Sequence, residues 1–169
     1  MNVRSPFFKK KKLQTGLSIV ELAVASAIIL ALSTVAVSGW QLFFRVSKTN
    51  SNLTQASLLT EEAVEALNYM RDQNWTFNIA NLSLNTPYYL YWSGATYAIS
   101  TASTTVNKSY LVRLTLSAVE RDVTSNIVPL GSGGLIDTRT KNIAVSVVNA
   151  TSSEEYLKSY ILLHDIFNN

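Results

Sequence analysis

The chain has no cysteine and a single histidine among its 169 residues. The first absence excludes disulfides and thiolate metal sites, without fixing a compartment. The second leaves His164 as the only imidazole. Proline is missing throughout the interval from Leu17 to Arg71, so nothing there forces a helix to break. Charge is almost missing from Leu17 to Phe44, where Glu21 is the only charged side chain.

Positive charge is present but segregated. Arg4, Lys9, Lys10, Lys11 and Lys12 all precede Gly16, with no acid among them. The formal charge of +3 comes from fourteen bases and eleven acids; without those five bases the remainder has nine against eleven, about −2. The basic balance therefore belongs to a leader and marks no nucleic-acid face.

Behind the leader comes a long apolar run. As a helix rising ~1.5 Å per residue, Leu17 to Phe44 would span roughly 40 Å, more than the roughly 30 Å of a bilayer's hydrocarbon. The four lysines before it, against Arg45 and Lys48 after it, hold the start in the cytoplasm and send the rest of the chain out. Two ordinary explanations fit this much: a secretory signal, with Ala36-Val37-Ser38 as its cleavage site, or an uncleaved signal anchor. Neither explains Glu21, because an ionised group in a lone apolar helix costs a few kcal/mol and normally persists only with a partner. A cut after Gly16 would supply one. The new α-amino group of Leu17 lies four residues from Glu21, and in a bundle of parallel helices the amine of one subunit can meet the carboxylate of its neighbour.

Lys9 to Lys12, Gly16 and then Leu17-Ser18-Ile19-Val20-Glu21 closely resemble the leader and start of type IV pilins and of the pseudopilins of type II secretion. The resemblance implies that a prepilin peptidase cuts after Gly16 and methylates the amine of Leu17. It implies that Glu21 is the assembly carboxylate and that the helix first anchors the subunit and then polymerises it. Two departures stand out: Leu17 replaces the family's usual phenylalanine, and the mid-helix proline of many pilins is missing. Without it, Ser33, Thr34, Ser38 and Gly39 are the weak points of the helix.

Leu53, Ala56, Leu59, Ala63, Leu67 and Met70 recur at three- and four-residue spacing, with Glu61, Glu62 and Glu65 away from much of that stripe. The pattern predicts an amphipathic continuation ending near Asn74-Trp75, about 80 Å from Leu17 to Arg71 if regular. Beyond it, alternation and β-branched residues predict strands at 88–92, 97–100, 110–119, 142–148 and 156–163, with turns at Gly131 to Gly134 and Ala150 to Ser153. The expected fold is α+β: a long N-terminal helix, membrane-spanning and then amphipathic, packed on a C-terminal antiparallel sheet. Its segments are a leader (1–16), an assembly helix (17–44), an amphipathic continuation (45–74) and a β-rich head (75–169). The stretches "YMRDQNW" and "ERDVTSNIVPLGSGGLIDTRTKNIAVSVV" add a weaker resemblance to minor pilin-like proteins.

Enzymatic chemistry finds little support. His164 and Asp165, adjacent on a strand, would point to opposite faces, and Gly131 to Gly134 lacks the Lys-Ser/Thr of a phosphate loop. Asp122 and Asp137 fall short of the six or more oxygens that calcium requires. Tyr88, Tyr89, Tyr91, Trp92 and Tyr97 could stack on sugars or bases, but the bases of a nucleic-acid groove are missing around them, which favours packing. Sequons such as those at Asn52 and Asn149 are short enough to arise by chance. The expectation is a structural filament subunit, minor or priming rather than principal, with no cofactor or metal. Its partners would be prepilin peptidase, other pilin or pseudopilin subunits, an inner-membrane assembly platform and membrane lipid. Its place would be the cytoplasmic membrane and then a filament in the envelope. The alternatives are a tip adhesin or DNA-uptake pilin, and a singly anchored envelope protein that forms no filament.

Overall fold

The computed structural model describes residues 18–106 and 109–166. The protein is α+β, with one long helix α1 (Ile19–Trp75) and strands β1 (Pro87–Trp92), β2 (Tyr97–Ser100), β3 (Tyr110–Arg121), β4 (Ile127–Val128), β5 (Leu135–Asn149) and β6 (Glu155–His164). The expected fold class is the observed one. The chain divides into two compact units, Met1–Ser47 and Lys48–Asn169.

In the first unit, the described part of α1 is exposed along its whole length. Three of its hydroxyls are satisfied within the helix: Ser26 donates to the Ala23 carbonyl at 2.9 Å, Thr34 to Leu30 at 2.8 Å and Ser38 to Thr34 at 2.8 Å. Such bonds back to the preceding turn let a polar residue sit in hydrocarbon without an orphaned group. The weak points named from sequence stay helical, and the one non-helical residue inside the element is Asn74 (φ −165°, ψ 100°).

The second unit packs the later turns of α1 on the sheet. The helix buries Ala56, Leu59, Thr60, Ala63, Ala66, Leu67 and Met70. Small residues alternate with large ones along this face, so the larger sheet side chains can fit against the helix. Leu53, expected in this stripe, is instead 42% exposed. Its neighbour Asn52 faces inward: the Asn52 amide donates to the Tyr156 hydroxyl and its carbonyl accepts from Tyr110, both at 3.4 Å. One turn before Ala56 the apolar stripe has therefore given way to a polar cap on the core. At its other end α1 stops where predicted, and Asn74 accepts the Phe77 amide at 3.0 Å as a short π-helical segment, Thr76–Ala80, begins. Asn78 donates to the Met70 carbonyl at 2.8 Å and so satisfies one of the helix-end acceptors.

The sheet is antiparallel, in the order β2-β1-β3-β5-β6, with β4 paired to the end of β3. Alternation places Tyr88 and Leu90 of β1, Val112, Leu114 and Leu116 of β3, and Ile143, Val145 and Val147 of β5 in the core. β1, β2 and β6 match expectation to within a residue at each end. β3 runs two residues longer and β5 begins seven residues earlier, because a register shift between Ala118 and Val119 lets Val119, Glu120 and Arg121 pair with Asp137, Ile136 and Leu135.

Candidate functional site

Glu21 lies in the first turn of α1 and is exposed. Gly16 and Leu17, the expected cleavage and methylation positions, lie outside the described residues. Around Glu21 the surface is aliphatic: Ile19 is 86% exposed, and Val20, Leu22 and Val24 are exposed beside it. The surface stays largely apolar to Phe44, with aromatics replacing aliphatics at the far end. Near that end Trp40 stacks edge-on against Phe44 with centroids 5.1 Å apart, just before Arg45. Aromatics followed by a base are what the boundary between hydrocarbon and water favours. This helix is long and apolar enough to cross a membrane.

The aromatic group read from sequence divides in the structure. Tyr88 is core, its hydroxyl accepting the Ser83 amide at 2.9 Å. Tyr89 and Tyr91 are half-buried. Trp92 shares the face of Tyr88 and Leu90 by alternation but is 57% exposed. Directly across the β1–β2 hairpin, Tyr97 meets it in a T-shaped pair with centroids 5.0 Å apart. The turn is fixed by Gly94 (φ 98°), by a 2.9 Å bond from the Ser93 amide to the Thr96 carbonyl, and by the Ser93 hydroxyl on the same carbonyl.

Between this hairpin and α1 lies a cleft of about 290 Å³, lined by Glu62, Glu65, Ala66, Tyr69, Trp92, Ala95, Thr96 and Tyr97. The Tyr97 hydroxyl donates to the Glu62 carboxylate at 2.6 Å. That bond, then burial and the charges of Glu62 and Glu65, push the Tyr97 pKa up to about 12. Glu61, Glu62 and Glu65 have no ion-pair partner among the described residues; the pairs that form are Arg71–Asp72, Arg113–Glu155 and Arg121–Asp137. The three glutamates are exposed, as expected, but Glu62 also holds the cleft's wall. Nothing in the sequence signals this contact, because the two residues are 35 positions apart.

Asp122 and Asp137 hold a loop clasp. The Asp122 carboxylate accepts from the Thr124 hydroxyl at 2.7 Å and from the Thr124 and Asn126 amides at 2.8 and 2.9 Å, which lowers its pKa. Asp137 accepts from Arg121 at 2.7 Å, Thr140 at 2.6 Å and the Arg139 amide at 2.9 Å. Burial raises its pKa, but these donors outweigh it and bring the value to about 2. Because a carboxylate can only accept, the Thr140 proton goes to Asp137, and His164 Nδ1, 2.8 Å away, must be the donor to Thr140. His164, the last residue of β6, is exposed, and Asp165, just beyond the strand rather than on it as expected, is buried. Two sequon asparagines are engaged too: Asn149 donates to the Tyr156 hydroxyl at 2.9 Å, the same oxygen that Asn52 reaches.

No family model, no curated protein and no solved structure matches this chain.

Proposed function

We propose that the chain is a structural subunit of a type IV pilus-like filament or secretion pseudopilus, cut after Gly16 by a prepilin peptidase and polymerised through the N-terminal part of α1. One observation carries the reading: a helical surface exposed and largely apolar from Ile19 to Phe44 that bears one charged group, Glu21, in its first turn. Such a surface needs lipid or other helices to cover it. A single acid at one end suits helices that exchange lipid for each other, because it can pair with the Leu17 amine of a neighbouring copy. The basic leader puts the start of the chain in the cytoplasm and the sheet domain outside. The assembly platform that moves subunits from membrane to filament, and the peptidase, are the partners this reading requires.

Replacing Glu21 with Ala tests it. Cleavage and membrane insertion should survive, since the leader is untouched and the anchor becomes more apolar. Assembly should fail, because the neighbour's amine is left unpaired in an apolar bundle, at a penalty of several kcal/mol. Glu21→Gln should fail almost as completely, as it keeps size and hydrogen bonding but removes charge. Fractionation should find processed protein in the membrane and little in filaments. Wild-type incorporation of Glu21→Ala would overturn the pairing.

A further inference from the structure

The cleft between α1 and the β1–β2 hairpin joins two features that recognise the same chemistry. Its walls are aromatic: Tyr69, Trp92 and Tyr97. Its charged groups are the carboxylates of Glu62 and Glu65, which no described base neutralises. An aromatic face attracts a cation through its quadrupole, and a nearby carboxylate adds Coulomb attraction. The Tyr97 hydroxyl donates its proton to Glu62, which leaves the phenol ring richer in electrons and its face more attractive to positive charge. A neutral apolar ligand would use the rings and waste the acids; a bare metal ion would use the acids and waste the rings. A cation on an alkyl stem uses both, and about 290 Å³ is room for one such group.

The sheet supplies a second and independent observation. Among the described residues β2 is the terminal strand, paired with β1 on one side only. Among the described residues no backbone hydrogen bond is made along the outer edge of Tyr97–Ser100. An unpaired edge is a template for an added strand. In an antiparallel or parallel addition, the residue opposite Tyr97 projects to the same face of the sheet as Tyr97 itself, which is the face that borders the cleft.

We infer that this cleft and the free edge of β2 form a docking site for an extended, basic peptide segment, whose backbone pairs with β2 and whose lysine or arginine side chain enters between Trp92, Tyr97, Glu62 and Glu65. The site is independent of the filament reading, since it uses neither Glu21 nor the apolar part of α1.

Full-length protein in a non-ionic detergent can be titrated with a fluorescent peptide alternating lysine and threonine, and binding followed by anisotropy. A matching peptide with glutamine for lysine, and tetramethylammonium as a small cation, complete the set. The lysine peptide should bind, the glutamine peptide should bind roughly tenfold or more weakly, and added salt should loosen the complex. Trp92→Ser and Glu65→Gln should each weaken binding about five- to tenfold. Both side chains are exposed, so circular dichroism should stay unchanged in each variant. Tetramethylammonium should compete only weakly, having no backbone to pair with β2. Equal binding of the two peptides, unchanged binding by both folded variants, or competition by tetramethylammonium as strong as by the peptide itself would each overturn the proposal.

Discussion

A Cβ on Gly134 would come within 2.5 Å of the Arg121 carbonyl oxygen, which is backbone and cannot swing away. Gly134→Ala should therefore destabilise the β3–β5 connection by about 1–3 kcal/mol, read as a lowered midpoint in chemical unfolding. Asp137 secures the same connection by charge. Its carboxyl is held at about 2, below the ordinary value of 3.8, so its contribution is complete above pH ~4 and is lost as pH falls through about 2. Because the Asp137 side chain is 13% exposed and that of its partner Arg121 32%, the effect should be about 1–2 kcal/mol, short of the full shift. Unfolding midpoints measured from pH 7 down to 2 should fall in that window, and Asp137→Asn should be less stable at pH 7 and flatter below pH 4. Tyr97 works in the opposite range. Its raised pKa favours the neutral phenol in the folded state, so its contribution is complete below pH ~10 and lost as pH rises through about 12.

At the scale of elements, the helix face is the firmest prediction from sequence and also shows where such reading stops. Ala56, Leu59, Ala63, Leu67 and Met70 are buried as the spacing required, while Leu53 is not, since periodicity carries no knowledge of where the sheet ends. Leu67 is fully buried, so Leu67→Ala should cost about 2–5 kcal/mol in denaturant unfolding. Leu58, one of the exposed aliphatics on the same helix, should change stability by about 0.5 kcal/mol or less when made Ala. Strands with clean alternation, such as Tyr110 to Leu116, were legible. The start of β5 was not: Leu135-Ile136-Asp137-Thr138-Arg139 shows no period-two burial, and it is a strand because β3 pairs with it past a bulge. β4 is two residues long, too short for any periodicity to register. The candidate cleft obeys the same rule. Its aromatics were conspicuous as a cluster, but Glu62 and Glu65 join them only through a tertiary contact between a helix and a hairpin.

For the whole molecule, the open quantity is how many copies a filament would contain. A subunit that builds the bulk of a filament must repeat its contacts along the entire shaft, so its helix and head are constrained everywhere at once. In this chain α1 carries no proline between Leu17 and Arg71, and Ser33 to Gly39 remain helical, so on the filament reading the helix would lack a built-in place to soften as subunits pack. Its head also leaves large aliphatics uncovered on the β3–β5 connection, with Val123 fully exposed and Leu130 and Leu135 largely so. On a shaft of identical subunits, such side chains would either be buried in every repeat or present a continuous apolar stripe to water. A few copies at a tip or at initiation carry no such burden. On the proposed filament reading, we therefore expect a minor subunit. Quantitative mass spectrometry of sheared filaments should find this chain well below the principal subunit, with a mature N-terminus at methylated Leu17. An N-terminus at Gly39 would instead mean conventional secretion after Ser38, and dominance of this chain in the sheared material would show that a proline-free anchor can build a shaft.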